Sequence, residues 1–286
     1  MKIAELYEQV TRNIIAEIEA GNLPPWLKPW KEGRRTGIIP INGATKRHYN
    51  GLNILVLWSE REAKGYAINE WVTYKQCQAL GGNVSKGEKS THVIFVKKLL
   101  VKDDDEERKI PMMKCYSVFN VGQCEGLPEN EPEPELPEHE RNERAEQFFA
   151  AVGAEVRWDE AMAAYIPSKD IITMPARAAF IGPENVYATL AHEHIHFTGA
   201  KSRLDRDLKS RFDQDSYAFE ELVAEIGAAM TCAVLQITGE LRHASYVEHW
   251  LKILKGDSKA ILTAASLASK ATDYLQAFSE LKEEAA

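Results

Sequence analysis

Cysteine is scarce in this chain and widely spaced: Cys77, Cys115, Cys124 and Cys232 form no CxxC pair. Neither a cysteine zinc site nor a disulfide framework organises such a sequence, and a reducing cytoplasm is the expected setting. Long apolar runs are missing as well. No stretch reaches the roughly 18 to 20 residues that cross a bilayer, and the opening MKIAELYEQVTRNI alternates charge with apolar residues instead of forming a signal core. A soluble, unexported protein with no membrane partner is therefore expected. An overall positive charge is also absent. At −8, the chain is not a uniformly basic nucleic-acid binder.

The average conceals an asymmetry. Residues 24–98 carry 13 Lys and Arg against 5 Asp and Glu, whereas residues 141–286 carry 16 against 22. Between them, GLPENEPEPELPEHE combines proline with repeated glutamate, a composition that disfavours helix and strand and stays extended in water. With 286 residues, two domains of ordinary size are expected. The division predicted is residues 1–127, an acidic linker over 128–140, and residues 141–286.

In the first half, Leu6, Val10, Ile14 and Ile18 make one stripe of an amphipathic helix that stops at Gly21. THVIFVKKL and KCYSVFNV read as strands, and the intervening DDDEERK suits an exposed hairpin tip. In the second half, a helix over 141–151 precedes strand-like AEVRW, AYIP and DIITMP. Helices then start near Glu184 and Tyr217, and the remainder keeps a 3.6-residue apolar period. The fold class predicted is α+β, with a mixed α+β first domain and a second domain laid out like a zinc peptidase core.

The second half contains HEHIH at 192–196. His192 and His196 are four apart, so on a helix both imidazoles leave one face and can hold a single Zn²⁺ at about 2.0 to 2.1 Å. Glu193 stands beside them, placed as a general base that takes a proton from the attacking water and returns it to the leaving amine. The third ligand must come from elsewhere. A metzincin would have a histidine six residues after the second motif histidine, but that position is Ser202. Downstream, SYAFEELVAEIGAAM forms a helix whose stacked Glu221 and Glu225 resemble the ExxxD/E pattern of glutamate zincins. That likeness implies Glu221 as a ligand and Glu225 as the partner of a motif histidine, or the reverse order. Glu220 is expected to face solvent. His194 points roughly 160° away from the ligand face, and His243 and His249 have no assigned role. Tyr217 is a candidate oxyanion donor, with packing as the alternative.

The basic segment also holds Trp26, Trp30, Trp58 and Trp71 with Tyr49, Tyr66, Tyr74 and Phe95. Single-stranded nucleic acid uses both features, cations along the phosphates and flat rings against unpaired bases. Core packing of the same aromatics is the plain alternative. Candidate DNA contacts are Trp26, Trp30, Lys46, Arg47, Tyr49, Lys86 and Lys89.

The ordered series PPWLKPW, PINGATKRHYNGLNILVLW, EWVTYKQCQALGGNVSKGEKSTHVIFVKK and YSVFNVGQCEGLP resembles the N-terminal domain of ArdC antirestriction proteins. YIPSKDIITMPARAAFIGPENVYATLAHEHIHFTGAKSRLDR and FEELVAEIGAA resemble the zincin-type metallopeptidase domain of the same conjugative-plasmid family. The resemblance implies single-stranded DNA binding, protection of incoming DNA from host restriction, and a peptidase acting on an unknown host or DNA-bound protein. The alternative is a non-catalytic DNA-coating protein with a structural metal. Two departures stand out. Lys46 occupies the position of an expected turn glycine, and His194-Ile195 replaces Leu-Gly inside the motif, where Ile195 is expected to reshape the cleft wall.

Overall fold

A computed structural model describes residues 3–22, 24, 26, 39–103, 106–128, 136–206, 208, 214–237 and 247–279. Among these, the chain is α+β in both halves. Helix α1 (Ile3–Glu19) is followed by β1 (Ile41–Asn42), α2 (Leu52–Lys64), β2 (Glu70–Val72), α3 (Tyr74–Ala79) and β3 (Asn83–Val84). Strands β4 (Thr91–Asp103) and β5 (Glu106–Asn120) form the long hairpin expected around the acidic tip, and β6 (Cys124–Glu125) closes this half. The main sheet runs β1-β2-β5-β4, with β1 and β2 parallel and the other pairs antiparallel, and β3 pairs β6 separately.

Burial follows the apolar pattern. Leu6, Ile14 and Ile18 of α1 lie in the core, and α1 leans on the sheet through the Tyr7 hydroxyl, which donates to Met113 Sδ at 2.9 Å. Near its start the outer strand β4 is covered by α2 rather than bare. The Asn53 amide on α2 donates to Ile94 O and accepts from Ile94 N–H, each at 2.8 Å, which satisfies backbone groups that an open edge would expose.

The second half begins with α4 (Glu138–Val152), then β7 (Glu155–Arg157), β8 (Ala164–Ile166) and β9 (Ile171–Thr173) in the order β7-β9-β8. Helix α4 starts at Glu138 rather than near 141, so the end of the expected linker belongs to the helix. Glu138 and Glu140 suit its first turn, where exposed N–H groups favour negative charge. Residues 129–135 of that linker lie outside the described residues. Helices α5 (Pro183–Thr198), α6 (Gln214–Leu235), α7 (Val247–Gly256) and α8 (Ala260–Gln276) complete the fold. Helix α6 is apolar on nearly every side, with Leu222, Val223, Ile226 and Met230 fully buried between α5 and α8. No helix among the described residues is long and apolar enough to cross a membrane.

The halves share packing. Trp26 meets Trp250 of α7 edge to face with ring centroids 6.3 Å apart, and Thr11 Oγ1 donates to Ser258 O at 2.8 Å.

Candidate metal centre

Helix α5 delivers His192 and His196 one turn apart, and α6 crosses it to deliver Glu221. The three donor groups converge. His192 Nε2 and His196 Nε2 are 3.1 Å apart, His192 Nε2 lies 3.4 Å from Glu221 Oε2, and His196 Nε2 lies 3.5 Å from Glu221 Oε1. Donors about 2.05 Å from a tetrahedral centre stand about 3.3 Å apart, and neighbouring donors around a six-coordinate centre at that bond length about 2.9 Å. The nitrogen pair and the two nitrogen–oxygen contacts, each made to a different oxygen of the carboxylate, fall in the range of donors that share one cation. His192 and Glu221 are buried and His196 nearly so, leaving one carboxylate facing two imidazoles in a low-dielectric setting. Two nitrogens and one anionic oxygen, with no fourth protein donor in the cluster among the described residues, make a set that fits a divalent cation with an open position.

Each of the two imidazoles has an acid on its far side. His192 Nδ1 faces Glu225 Oε1 at 3.6 Å, and His196 Nδ1 meets Glu220 Oε1 at 3.2 Å. Such partners fix ring orientation and raise donor basicity. Glu220 is thus not solvent-facing as expected, being 7% exposed. The segment after α5 turns back over α6 and inserts Arg206, whose Nη2 donates to Glu220 Oε1 at 2.8 Å and whose Nε donates to Glu220 Oε2 at 3.1 Å. The same guanidinium donates to Ile195 O at 2.6 Å and Thr198 Oγ1 at 2.8 Å, satisfying acceptors at the end of α5. Arg206 therefore joins α5 to α6, a role that sequence spacing did not reveal.

The protonation states follow from this arrangement. Burial resists charge on His196, but Glu220 and Glu221 outweigh it and raise the imidazole to about 10. Burial likewise works against the carboxylate of Glu221, yet His192 and His196 hold it well below the usual range.

Glu193 accepts the Tyr165 backbone N–H at 2.7 Å through Oε2, which moors it to β8. Tyr165 is itself clamped. Its hydroxyl donates to Asp170 Oδ1 at 2.7 Å and accepts from Arg203 Nη2 at 3.0 Å, and the Arg203 guanidinium lies 3.6 Å from the Phe197 ring centroid. Burial and the Asp170 bond push the Tyr165 hydroxyl up to about 12.

His194 is a core residue away from the ligands. Its Nδ1 pairs with Leu190 O at 2.7 Å, its ring packs 4.6 Å from that of Phe149, and burial lowers it to about 4. Ile195 does not line the cleft, contrary to expectation. It is fully buried against α6, where a Cβ on Gly227 would stand 2.8 Å from Ile195 Cδ1 and 2.9 Å from Cγ1. The bulk added to α5 is accommodated by glycine on α6. Tyr217 is half-buried near the start of α6, His249 half-buried on α7, and His243 lies outside the described residues.

The expected DNA-contacting residues scatter. Trp26 is 2% exposed and Tyr49 5%, so both are core residues whose rings do not face solvent, because Trp250 and Phe95 pack on them. Trp30 lies outside the described residues. Arg47, Lys86 and Lys89 are exposed. Lys46 donates to Glu70 Oε2 at 2.9 Å and has a left-handed backbone with φ of 56°, which explains why glycine suits its position.

Comparison with known proteins matches both halves. A family model described as the N-terminal domain of anti-restriction factor ArdC covers residues 4–119, and one described as a zincin-like metallopeptidase covers residues 143–267. The chain is 42% identical over 284 residues to the protein y4eC of Sinorhizobium fredii (strain NBRC 101917 / NGR234), covering 96% of this chain and 92% of that one. It is 37% identical over 295 residues to an Escherichia coli DNA primase, TraC, of which it spans 27% of the length. Crystal structures of the antirestriction ArdC protein of plasmid R388 superpose with a TM-score of 0.79, covering 96% of this chain and 97% of that one. The metal-free form is matched at 44% identity and the Mn(II)-bound form at 42%.

Proposed function

We propose that this chain, which belongs to the ArdC family of antirestriction proteins, couples a single-stranded DNA-binding half to a zinc peptidase-type site and protects incoming conjugated DNA from host restriction. The observation that carries the reading is the convergence of His192 Nε2, His196 Nε2 and the Glu221 carboxylate within 3.1 to 3.5 Å. Residues 1–127 supply the DNA-binding domain and residues 141–286 the metallopeptidase domain, and the protein acts in the cytoplasm.

His192, His196 and Glu221 would hold the cation, with Glu225 and Glu220 steadying the two imidazoles. Bound there, a divalent ion supplies Lewis-acid polarisation of a carbonyl. Zinc suits a set of two imidazoles and one carboxylate, and the Mn(II) form of the R388 relative supports a site of this family tolerating another divalent ion. Glu193 does the proton work. One of its oxygens accepts the Tyr165 N–H, which fixes the direction of the carboxylate, so that the other oxygen can take a proton from the attacking water and deliver it to the departing amine. Tyr165, Asp170 and Arg203 keep that anchor strand in place.

The substrate is a host or DNA-bound protein of the restriction response. The competing reading is a DNA-coating protein whose metal only stabilises the fold. Glu193→Gln separates them, since it retains the three donors and removes the base. Protection of a conjugated plasmid in a restricting recipient and metal content of the purified protein are the two readouts. The peptidase reading expects full metal content with protection lost. Protection equal to that of the unsubstituted protein, with metal still bound, would overturn it in favour of coating.

A further inference from the structure

The expected stacking residues Trp26 and Tyr49 are buried, yet the same half exposes other rings. On the β4–β5 hairpin, Val93 stands opposite Tyr116 and Phe95 opposite Lys114. Alternation along each strand therefore puts these four side chains on one face. Val93 is sealed in the core at 1% exposure, but the face then leaves the core, and Phe95 and Tyr116 are 44% and 41% exposed.

Their rings meet edge to face, with centroids 5.4 Å apart and planes at 88°. Buried Tyr49 backs Phe95 at 6.1 Å, so the exposed pair is braced from beneath. Two large rings held in fixed geometry in water lose apolar burial that an inward placement would give, which marks the patch as a binding surface. Cations lie close in strand register and in sequence. Lys114 is exposed directly across from Phe95, and Arg47 is exposed two residues before Tyr49, whose ring meets that of Phe95.

We propose that Phe95 and Tyr116 are the base-stacking platform of this half, with Lys114 and Arg47 tracking the phosphates of single-stranded DNA. This rests on the DNA-binding reading above and locates its site. Single strands fit the arrangement because unpaired bases offer π-faces to rings, whereas duplex DNA keeps those faces stacked.

The test uses the full chain and a fluorescent thymidine 20-mer, followed by anisotropy. Phe95→Leu and Tyr116→Leu keep apolar volume and remove the ring, and each is expected to weaken binding about 5- to 100-fold. Phe95→Trp is expected to retain wild-type affinity, which excludes general damage to the hairpin. Arg47→Ala is expected to flatten the slope of log affinity against log salt by about 0.7. If the unsubstituted protein binds the oligonucleotide and both leucine variants bind it equally well, the platform is overturned while the DNA-binding reading stands. The same holds if only Lys86→Ala and Lys89→Ala weaken binding. No binding by the unsubstituted protein would overturn both.

Discussion

Gly227 and Ile195 are expected to be coupled strongly enough that one substitution changes sign with the other. A Cβ at Gly227 would lie 2.8, 2.9 and 3.1 Å from Cδ1, Cγ1 and Cγ2 of Ile195. Comfortable carbon contacts are about 3.5 to 4.0 Å, so three atoms of one β-branched side chain are crowded together and no single bond rotation relieves them. Overpacking of this kind costs about 1 to 3 kcal/mol, against about 1 kcal/mol gained from alanine over glycine within a helix. Gly227→Ala alone should thus be destabilising by up to about 2 kcal/mol. Ile195→Ala removes the crowding atoms and opens a cavity, costing about 2 to 5 kcal/mol. In that background the new methyl enters vacated space, and Gly227→Ala should stabilise by about 1 kcal/mol. Calorimetric melting of the four proteins measures the cycle, with about 2 to 4 °C per kcal/mol for a chain of this size. A coupling under about 0.5 kcal/mol would refute the contact. Metal affinity should fall with Gly227→Ala alone, because pushing α6 from α5 moves Glu221 away from both histidines.

Three other outcomes follow from named contacts. Lys46→Gly should stabilise the protein by about 0.5 to 1 kcal/mol in chemical denaturation, since relief of a left-handed backbone exceeds the loss of a pair with Glu70 whose lysine end is exposed; lower stability would contradict it. Arg206→Ala strands a buried Glu220 carboxylate and two helix-end acceptors, so a loss of about 3 to 5 kcal/mol is expected, with metal affinity about 10- to 100-fold weaker; unchanged affinity measured by a competing chelator would remove Arg206 from the site. His196, raised to about 10, stabilises the metal-free fold below the ordinary histidine range and loses that contribution as pH rises through about 10. A binding cation must displace its proton, so calorimetry in buffers of different ionisation enthalpy should find about one proton released per metal between pH 7 and 9, and none would refute the protonated state.

Much of the site was legible because its chemistry is local. Two histidines at helical spacing project together in any helix, and Glu221 and Glu225 stack for the same reason. What escaped the sequence was contact between distant positions. Glu220 adjoins Glu221 and reads as a surface acid until Arg206 folds back over it, and nothing near either residue announces the pair. Ile195 looks like an intrusion into the cleft unless Gly227, on another helix, is known to face it. Trp26 has the composition of a stacking residue, but its burial depends on Trp250, more than two hundred positions away. Phe95, noted among the rings of the basic segment, was not separated from its buried neighbours, and Tyr116 did not stand out at all, because strand alternation does not tell where a hairpin face leaves the core.

The two halves are joined through the elements that shape the metal site. Helix α1 reaches the α7–α8 corner through Thr11 and Ser258, and Trp26 packs on α7. Helix α8 in turn lies along α6, where Thr272 Oγ1 donates to Gly227 O at 3.3 Å beside the position that receives Ile195. Strain in the N-terminal half has a packed route to α8 and, through it, to the helix that carries Glu220, Glu221 and Glu225. Packed interiors transmit such strain because they contain little slack. The two halves are therefore in continuous packed contact even though an acidic, proline-rich segment separates them in sequence.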